Sequence, residues 1–142
     1  MPKATQVNWQ PISQMRLIAG MIKGSLDDTR EHLGTLTKAR DRPHVLDDAT
    51  LDRVEQVHTE QMEFVDVYTQ QISRWRTEKP SISQARALDQ MEKQNQQLRI
   101  VTTDVLALAR ELRKGTIERV LGMSDIELGL QALLENRSSG RR

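Results

Sequence analysis

The chain has 142 residues, a net charge of +1 and no cysteine, and its length is typical of one domain with a single core. With 37% hydrophobic and only 3% aromatic residues, the composition disfavours both a disordered chain and a sheet-based fold. The absence of cysteine excludes disulfides, thiolate metal sites and cysteine nucleophiles. A net charge this small provides no overall attraction to nucleic acid or anionic lipid.

The N-terminal residues lack the periodic pattern that follows them. Residues 1–11 contain Pro2 and Pro11 and no sustained apolar period, so they are predicted to form a flexible N-terminal arm from which Trp9 can dock on the rest of the domain. The apolar stretch that follows is short and contains Arg16, which fits neither a signal peptide nor a membrane span. We therefore expect a cytoplasmic protein without membrane contact.

Three long segments show apolar residues at alternating steps of three and four, the pattern of a helix that buries one row of side chains, here called its seam. Asp47 and Asp48 can cap the second helix, and Ser81 with Gln84 forms a capping-box signal for the third. Gly115 is predicted to end that helix. Short turns place neighbouring helices antiparallel, so the predicted fold is an all-α, up-down-up bundle of three long helices over residues 12–40, 48–78 and 82–114.

The C-terminal part is predicted as a short, broken helical segment that completes a bundle domain of residues 12–136. Residues 116–121 form one turn, Gly122 breaks it, and a last helix covers residues 125–135, followed by a polar tail at 137–142. One face of this last helix carries four apolar interface candidates, Ile126, Leu130, Leu133 and Leu134.

This C-terminal corner superficially resembles a helix-turn-helix. A recognition helix, however, contacts phosphates and base edges with basic or amide side chains near its start. The last helix begins instead with Asp125 and Glu127, and nucleic-acid binding is not favoured there.

Five polar residues occupy seam positions and are the main anomaly of the pattern: Thr29, His58, Gln61, Asn95 and Thr102. Folding the helices about their turns brings Thr29, His58 and Thr102 into one layer, with Gln61 one turn away. We predict a central polar layer in which His58 is buried and hydrogen-bonded, with Thr29 and Thr102 as its favoured partners. Such a layer can fix helix register, as a buried asparagine does in a coiled coil; a small-ligand or proton-linked site is the alternative.

Metal binding has little support. Glu55 and His58 form one Glu-x-x-His step, whereas a di-iron bundle needs two such steps and two further helical glutamates. Asp28 and His32 could add ligands only from the same layer, and helical phase places His32 beside the seam. No metal and no cofactor are expected.

Two glycines one turn apart, Gly20 and Gly24, lie within the first helix, where each costs up to about 1 kcal/mol relative to alanine. Close approach of another helix, inside the bundle or across a dimer, is the expected reason. Basic residues gather where the first and third helices end, but nearby aspartates dilute them.

No phosphate-binding glycine loop, Ser-His-Asp pattern or paired carboxylate set is present, so neither catalytic residues nor an enzyme is predicted.

Several apolar residues lie off the seams, namely Val57, Phe64, Val67, Ile100, Val101 and Leu108. Three long helices and a short one should not cover all of this surface. The predicted function is a non-enzymatic interaction module that binds a protein partner or itself, as a homodimer, through an apolar helix face. Nucleic-acid binding by the C-terminal corner or the basic end, and small-ligand or metal binding at the polar layer, stay open as alternatives.

Overall fold

The computed structural model describes residues 7–42 and 46–121 of the chain. Within these ranges the protein is helical and contains no strand, which confirms the predicted all-α class. The elements are a short 3-10 turn, Ile12–Gln14, and the helices α1 (Met15–Arg40), α2 (Asp48–Arg76) and α3 (Ile82–Leu121).

The starts of α2 and α3 follow from local side-chain chemistry. The backbone N–H of Thr50 donates to Asp47 Oδ1 over 2.8 Å. At the next helix, Gln84 N–H donates to Ser81 Oγ (3.1 Å), and Ser81 N–H donates to Gln84 Oε1 (2.9 Å). These bonds satisfy N–H groups that have no partner inside the helix. Of the two aspartates predicted as caps of α2, Asp47 is the one that caps it, and the capping box of Ser81 and Gln84 is confirmed.

The turn between α2 and α3 is short. Helix α2 ends at Arg76, two residues before the predicted end, and Thr77 caps it. Lys79 then adopts a φ of 53°, a left-handed conformation that breaks the helical path. Pro80 follows, and it cannot continue a helical hydrogen-bond ladder.

Helix α3 continues through Gly115 to Leu121, so the predicted end at Gly115 is wrong. A helical glycine costs about 1 kcal/mol relative to alanine, but it keeps its backbone N–H and stays compatible with helical dihedral angles. A cost of that size does not end a helix whose neighbouring turns are already formed. The predicted break at Gly122, the helix at 125–135 and the tail at 137–142 lie outside the described residues.

The core consists of three clusters along the bundle. The first joins the start of α1 to the end of α2 and the start of α3: Met15, Ile22, Tyr68, Ile72, Trp75, Leu88 and Met91. The middle cluster contains Leu26, Val65, Leu98 and Val101. The third lies beside the α1–α2 loop and contains Leu36, Leu51, Val105, Leu108, Ala109 and Leu112. Helix α3 packs closely on both α1 and α2, whereas the α1 and α2 backbones rarely come as close to each other.

The end of the predicted N-terminal arm is docked on α2. Trp75, which is fully buried, donates its indole N–H to the carbonyl oxygen of Gln10 (2.9 Å), and Gln10 N–H donates to Gln71 Oε1 (2.7 Å). The guanidinium of Arg74 lies 4.2 Å from the ring centroid of Trp9. Buried indole and amide groups need hydrogen-bond partners, and here backbone groups of the arm supply them. Trp9 and Gln10, at the end of the predicted N-terminal arm, are therefore in contact with α2.

Candidate functional site

The predicted polar layer is held together by Gln61. Its Nε2 donates to Thr29 Oγ1 of α1 and to Thr102 Oγ1 of α3, both over 2.8 Å. Thr29 in turn donates to the carbonyl oxygen of Ser25 (2.7 Å). Thr29 and Thr102 are fully buried, so one amide joins three helices at a single level of the core.

His58 is buried, at 4% exposure, but Thr29 and Thr102 are not its partners. Its Nδ1 lies 2.7 Å from the carbonyl oxygen of Val54, and its Nε2 lies 3.3 Å from His32 Nδ1. Because a carbonyl only accepts, Nδ1 of His58 carries the proton and Nε2 accepts from His32. The predicted partner on α1, Thr29, is thus replaced by His32, and Gln61 is the side chain that bonds to both threonines.

The surroundings of His58 disfavour its charged form. Burial is the largest influence and lowers the pKa of His58 below its usual 6.5; the hydrogen bond to Val54 opposes this shift, and the neighbouring His32 reinforces it. The rings of His32 and His58 meet edge to face, with centroids 5.4 Å apart. His58 is therefore a neutral, hydrogen-bonded imidazole near pH 7.

Asn95 lies at a different level from this layer. Its Nδ2 donates to the carbonyl oxygen of Val65 (3.1 Å) and to Thr69 Oγ1 (3.0 Å), while its buried Oδ1 has no hydrogen-bond partner. Asn95 borders a groove of about 370 Å³ between α2 and α3, which Arg76 and Arg99 also line. Arg76 pairs with Asp89 and Glu92, and Arg99 pairs with Asp66, so both cations beside the groove are paired.

Gly20 and Gly24 of α1 are exposed, and a Cβ added to either would meet nothing within 4 Å. Close approach of another helix inside the bundle is therefore not the reason for these glycines. Leu17 and Met21 flank them and are 60% and 45% exposed. These four residues form one stripe, here called the α1 face, because they are spaced three and four apart. The other interface candidates, Ile126, Leu130, Leu133 and Leu134, lie outside the described residues.

A second surface feature lies between α1 and α2 beside their loop. It is a groove of about 280 Å³ lined by residues of α1, α2 and the loop, and by none of α3. We call it the loop-end groove. Its apolar lining comprises Leu36, Leu46, Val54 and Val57, with the His32–His58 pair at its inner end.

Three of the basic residues at this end form ion pairs. Arg40 pairs with Glu111, Arg110 with Glu55, and Arg113 with both Asp52 and Glu55. Exposed pairs of this kind contribute little to stability, but they neutralise part of the positive charge on which nucleic-acid binding at this end would depend. Within the described ranges, no three His, Asp or Glu side chains come together as a metal-binding group.

The sequence did not predict the role of His32, because helical phase places it beside the seam of α1. An exposed residue that pairs with a buried residue of another helix cannot be recognised from the pattern of its own helix. The sequence also did not predict the docking of Gln10 on Gln71 and Trp75. A buried glutamine next to a buried tryptophan was the available signal, since both carry groups that need a partner when buried. Of the predicted off-seam apolar residues, Val101 and Leu108 are buried, whereas Val57, Phe64 and Ile100 are exposed.

Comparison with models of protein families, with curated proteins and with solved structures found no match. No helix in residues 7–42 or 46–121 combines the length and apolar content needed to cross a lipid bilayer.

Proposed function

We propose that the chain is an up-down-up three-helix bundle that acts as a non-enzymatic interaction module in the cytoplasm and binds a second copy of itself through the α1 face. The antiparallel order is supported by the contacts of Thr29 with Gln61 and of Gln10 with Trp75. The main support for this proposal is the exposed stripe of Leu17, Gly20, Met21 and Gly24, which has nothing packed against its glycines.

An exposed aromatic residue of α2 supports extension of the dimer contact from the α1 face onto α2. Phe64 is 57% exposed and lies near Tyr68, with ring centroids 6.4 Å apart. Phe64 is one turn from Gln61, which reaches α1, so it lies toward the α1 side of α2. Large apolar side chains around a flat glycine patch are typical of helix pairs that pack at short distance, because small residues let backbones approach.

Charge complementarity favours a second copy over an unrelated protein. Arg16 lies one turn before Gly20, and Asp28 lies one turn after Gly24; both are exposed, and neither forms an ion pair with another described residue. In a twofold pair of antiparallel α1 helices crossing at the glycines, Arg16 of one copy lies opposite Asp28 of the other. An isologous interface makes this contact twice.

Glycine substitutions give a test in which monomer stability and dimer affinity change in opposite directions. Gly24→Gln should stabilise α1 by up to about 1 kcal/mol, because glutamine is the better helix former and the added Cβ has free space. It should also lower dimer affinity at least tenfold, because the side chain blocks close approach. Gly34→Gln is the matched control, since Gly34 is exposed with equally open surroundings but lies on another face.

Analytical ultracentrifugation and light scattering over a concentration series measure the result. Arg16→Asp and Asp28→Arg should each weaken the dimer, and combining them should restore it. Phe64→Ser should weaken it more than Ile100→Ser, because Ile100, 62% exposed, lies on the outer side of α3. A wild-type chain that stays monomeric at all concentrations would refute self-association and leave a different protein as the partner of this face.

A further inference from the structure

Two histidines come together from different helices. His32 of α1 and His58 of α2 direct ring nitrogens at each other, with His32 Nδ1 3.3 Å from His58 Nε2. The rings meet edge to face, at an angle of 83° between their planes. Two imidazole nitrogens that face each other are the ligand type that several divalent metal ions prefer in proteins.

The orientation of the His58 ring is fixed by its second nitrogen. His58 Nδ1 donates to the carbonyl oxygen of Val54 over 2.7 Å, so Nε2 carries the lone pair that faces His32. Histidines that bind metal ions usually donate their other ring N–H to a backbone carbonyl or a carboxylate in this way, which fixes both the tautomer and the ring orientation. His58 therefore already has the arrangement of a metal ligand.

The separation of the two nitrogens matches the spacing of two ligands on one ion. Bonds of about 2.0–2.1 Å to a tetrahedral zinc ion place two imidazole nitrogens about 3.3–3.4 Å apart, and the distance here is 3.3 Å. In the metal-free protein the hydrogen on His32 Nδ1 bridges the same gap. Because His32 is exposed, this proton can pass through water to Nε2 of the same ring, so coordination by the two neutral rings releases no proton.

The other coordination positions are left to solvent. Within residues 7–42 and 46–121 no third His, Asp or Glu side chain joins the pair, and Glu55, one turn from His58, pairs with Arg110 and Arg113 instead. Because His32 is exposed, water or a small anion can complete the ligand set, as water does at open zinc sites. Two imidazoles favour late first-row divalent cations, with Cu²⁺ bound more tightly than Ni²⁺ or Zn²⁺.

We propose that His32 and His58 together bind one late first-row divalent cation per chain and that the ion links α1 to α2. The backbones of these two helices rarely come close to each other, so the ion adds a direct connection between them. Spacing along the sequence pairs His58 with Glu55 and predicts no such site, because the second histidine comes from another helix. The inference is independent of the proposed dimer, since the α1 face contains neither histidine.

Calorimetric titration of the full chain with Zn²⁺ and with Cu²⁺, above the usual histidine pKa of about 6.5, tests the site. We expect one ion per chain, with the higher affinity for Cu²⁺. His32→Gln should lower both affinities at least tenfold, and it should leave the circular dichroism spectrum unchanged because His32 is exposed. His44→Gln is the matched control, since His44 is the remaining histidine of the sequence, and it should bind both ions as the native chain does.

Spectroscopy identifies the ligands. One equivalent of Zn²⁺ should shift the imidazole NMR signals of His32 and His58 and leave those of His44 in place, and electron paramagnetic resonance of bound Cu²⁺ should show two nitrogen ligands in the native chain. Zn²⁺ should also raise the unfolding temperature of the native chain but not of His32→Gln, because an ion that binds only the folded state stabilises it.

Three outcomes would overturn the proposal. Equal affinity in the native chain and in His32→Gln, or an equal shift of all three imidazoles, would show an adventitious ion only. Unchanged His32 and His58 signals in a tenfold excess of Zn²⁺ would show that the two rings form a hydrogen bond and no metal site.

Discussion

Replacing Gln61 tests whether one amide joins the three helices. Gln61→Leu removes two hydrogen bonds of 2.8 Å, each contributing about 0.5–1.5 kcal/mol. Thr29 keeps its bond to Ser25, whereas the buried Thr102 hydroxyl loses its bond to the amide. The leucine regains part of this by burying apolar surface, so the free energy of unfolding should fall by about 1–2 kcal/mol.

Urea denaturation followed by far-UV circular dichroism measures this change, and the control is Gln56→Leu. Gln56 is exposed on α2, and its replacement should change stability by less than about 0.5 kcal/mol. The triple variant Thr29→Val, Gln61→Leu, Thr102→Val leaves no polar group unpaired in the layer and should return to within about 1 kcal/mol of the native protein.

The two results together decide the role of the layer. A Gln61→Leu variant as stable as the native chain would refute the bridging contact. A triple variant with doubled amide NMR signals would show that the layer selects one helix register, whereas a single set of signals would show that apolar packing alone is sufficient.

Three further predictions concern single residues. Because the pKa of His58 is lowered, the unfolded chain binds the proton more readily than the folded chain. The free energy of unfolding should therefore be at its full value above pH 6.5 and fall at lower pH by at most about 1.4 kcal/mol per pH unit. His58→Leu should stay folded and lose this pH dependence in urea titrations at several pH values. Ser81→Ala should cost about 1 kcal/mol, measured by thermal unfolding, and Ser83→Ala much less, since only Ser81 accepts the Gln84 N–H. Asn95→Leu removes a buried acceptor without a partner and also the two hydrogen bonds that Asn95 Nδ2 donates to Val65 and Thr69. Because these effects oppose each other, the free energy of unfolding should change by less than about 1 kcal/mol; a loss above about 2 kcal/mol in denaturant titration would contradict that account.

Most of the fold could be predicted because helix formation here depends on local signals. Spacing of three and four identifies the buried side of each helix, and the cap at Asp47 and the box at Ser81 lie within one turn of the N–H groups they satisfy. Gly115 shows the limit of a local signal. The cost of a helical glycine, about 1 kcal/mol relative to alanine, ends a helix only where the residues that follow do not continue it.

The candidate surfaces were accessible from the sequence only in part. Gly20 and Gly24 were recognised as unusual, but whether a neighbour packs on them depends on which way α1 is rotated in the bundle. The loop-end groove could not be predicted at all, since it depends on the distance between α1 and α2, and distances between helices are set by the side chains of all three.

The sequence by itself determined the class, the helix starts and the level at which polar side chains meet, because these depend on residue spacing along one helix. Only the tertiary structure decided that Gln61 reaches Thr29 and Thr102 while His58 pairs with His32. The physical reason is that position on a seam specifies a direction, whereas a hydrogen bond between helices also requires side-chain length, rotamer and helix separation to agree.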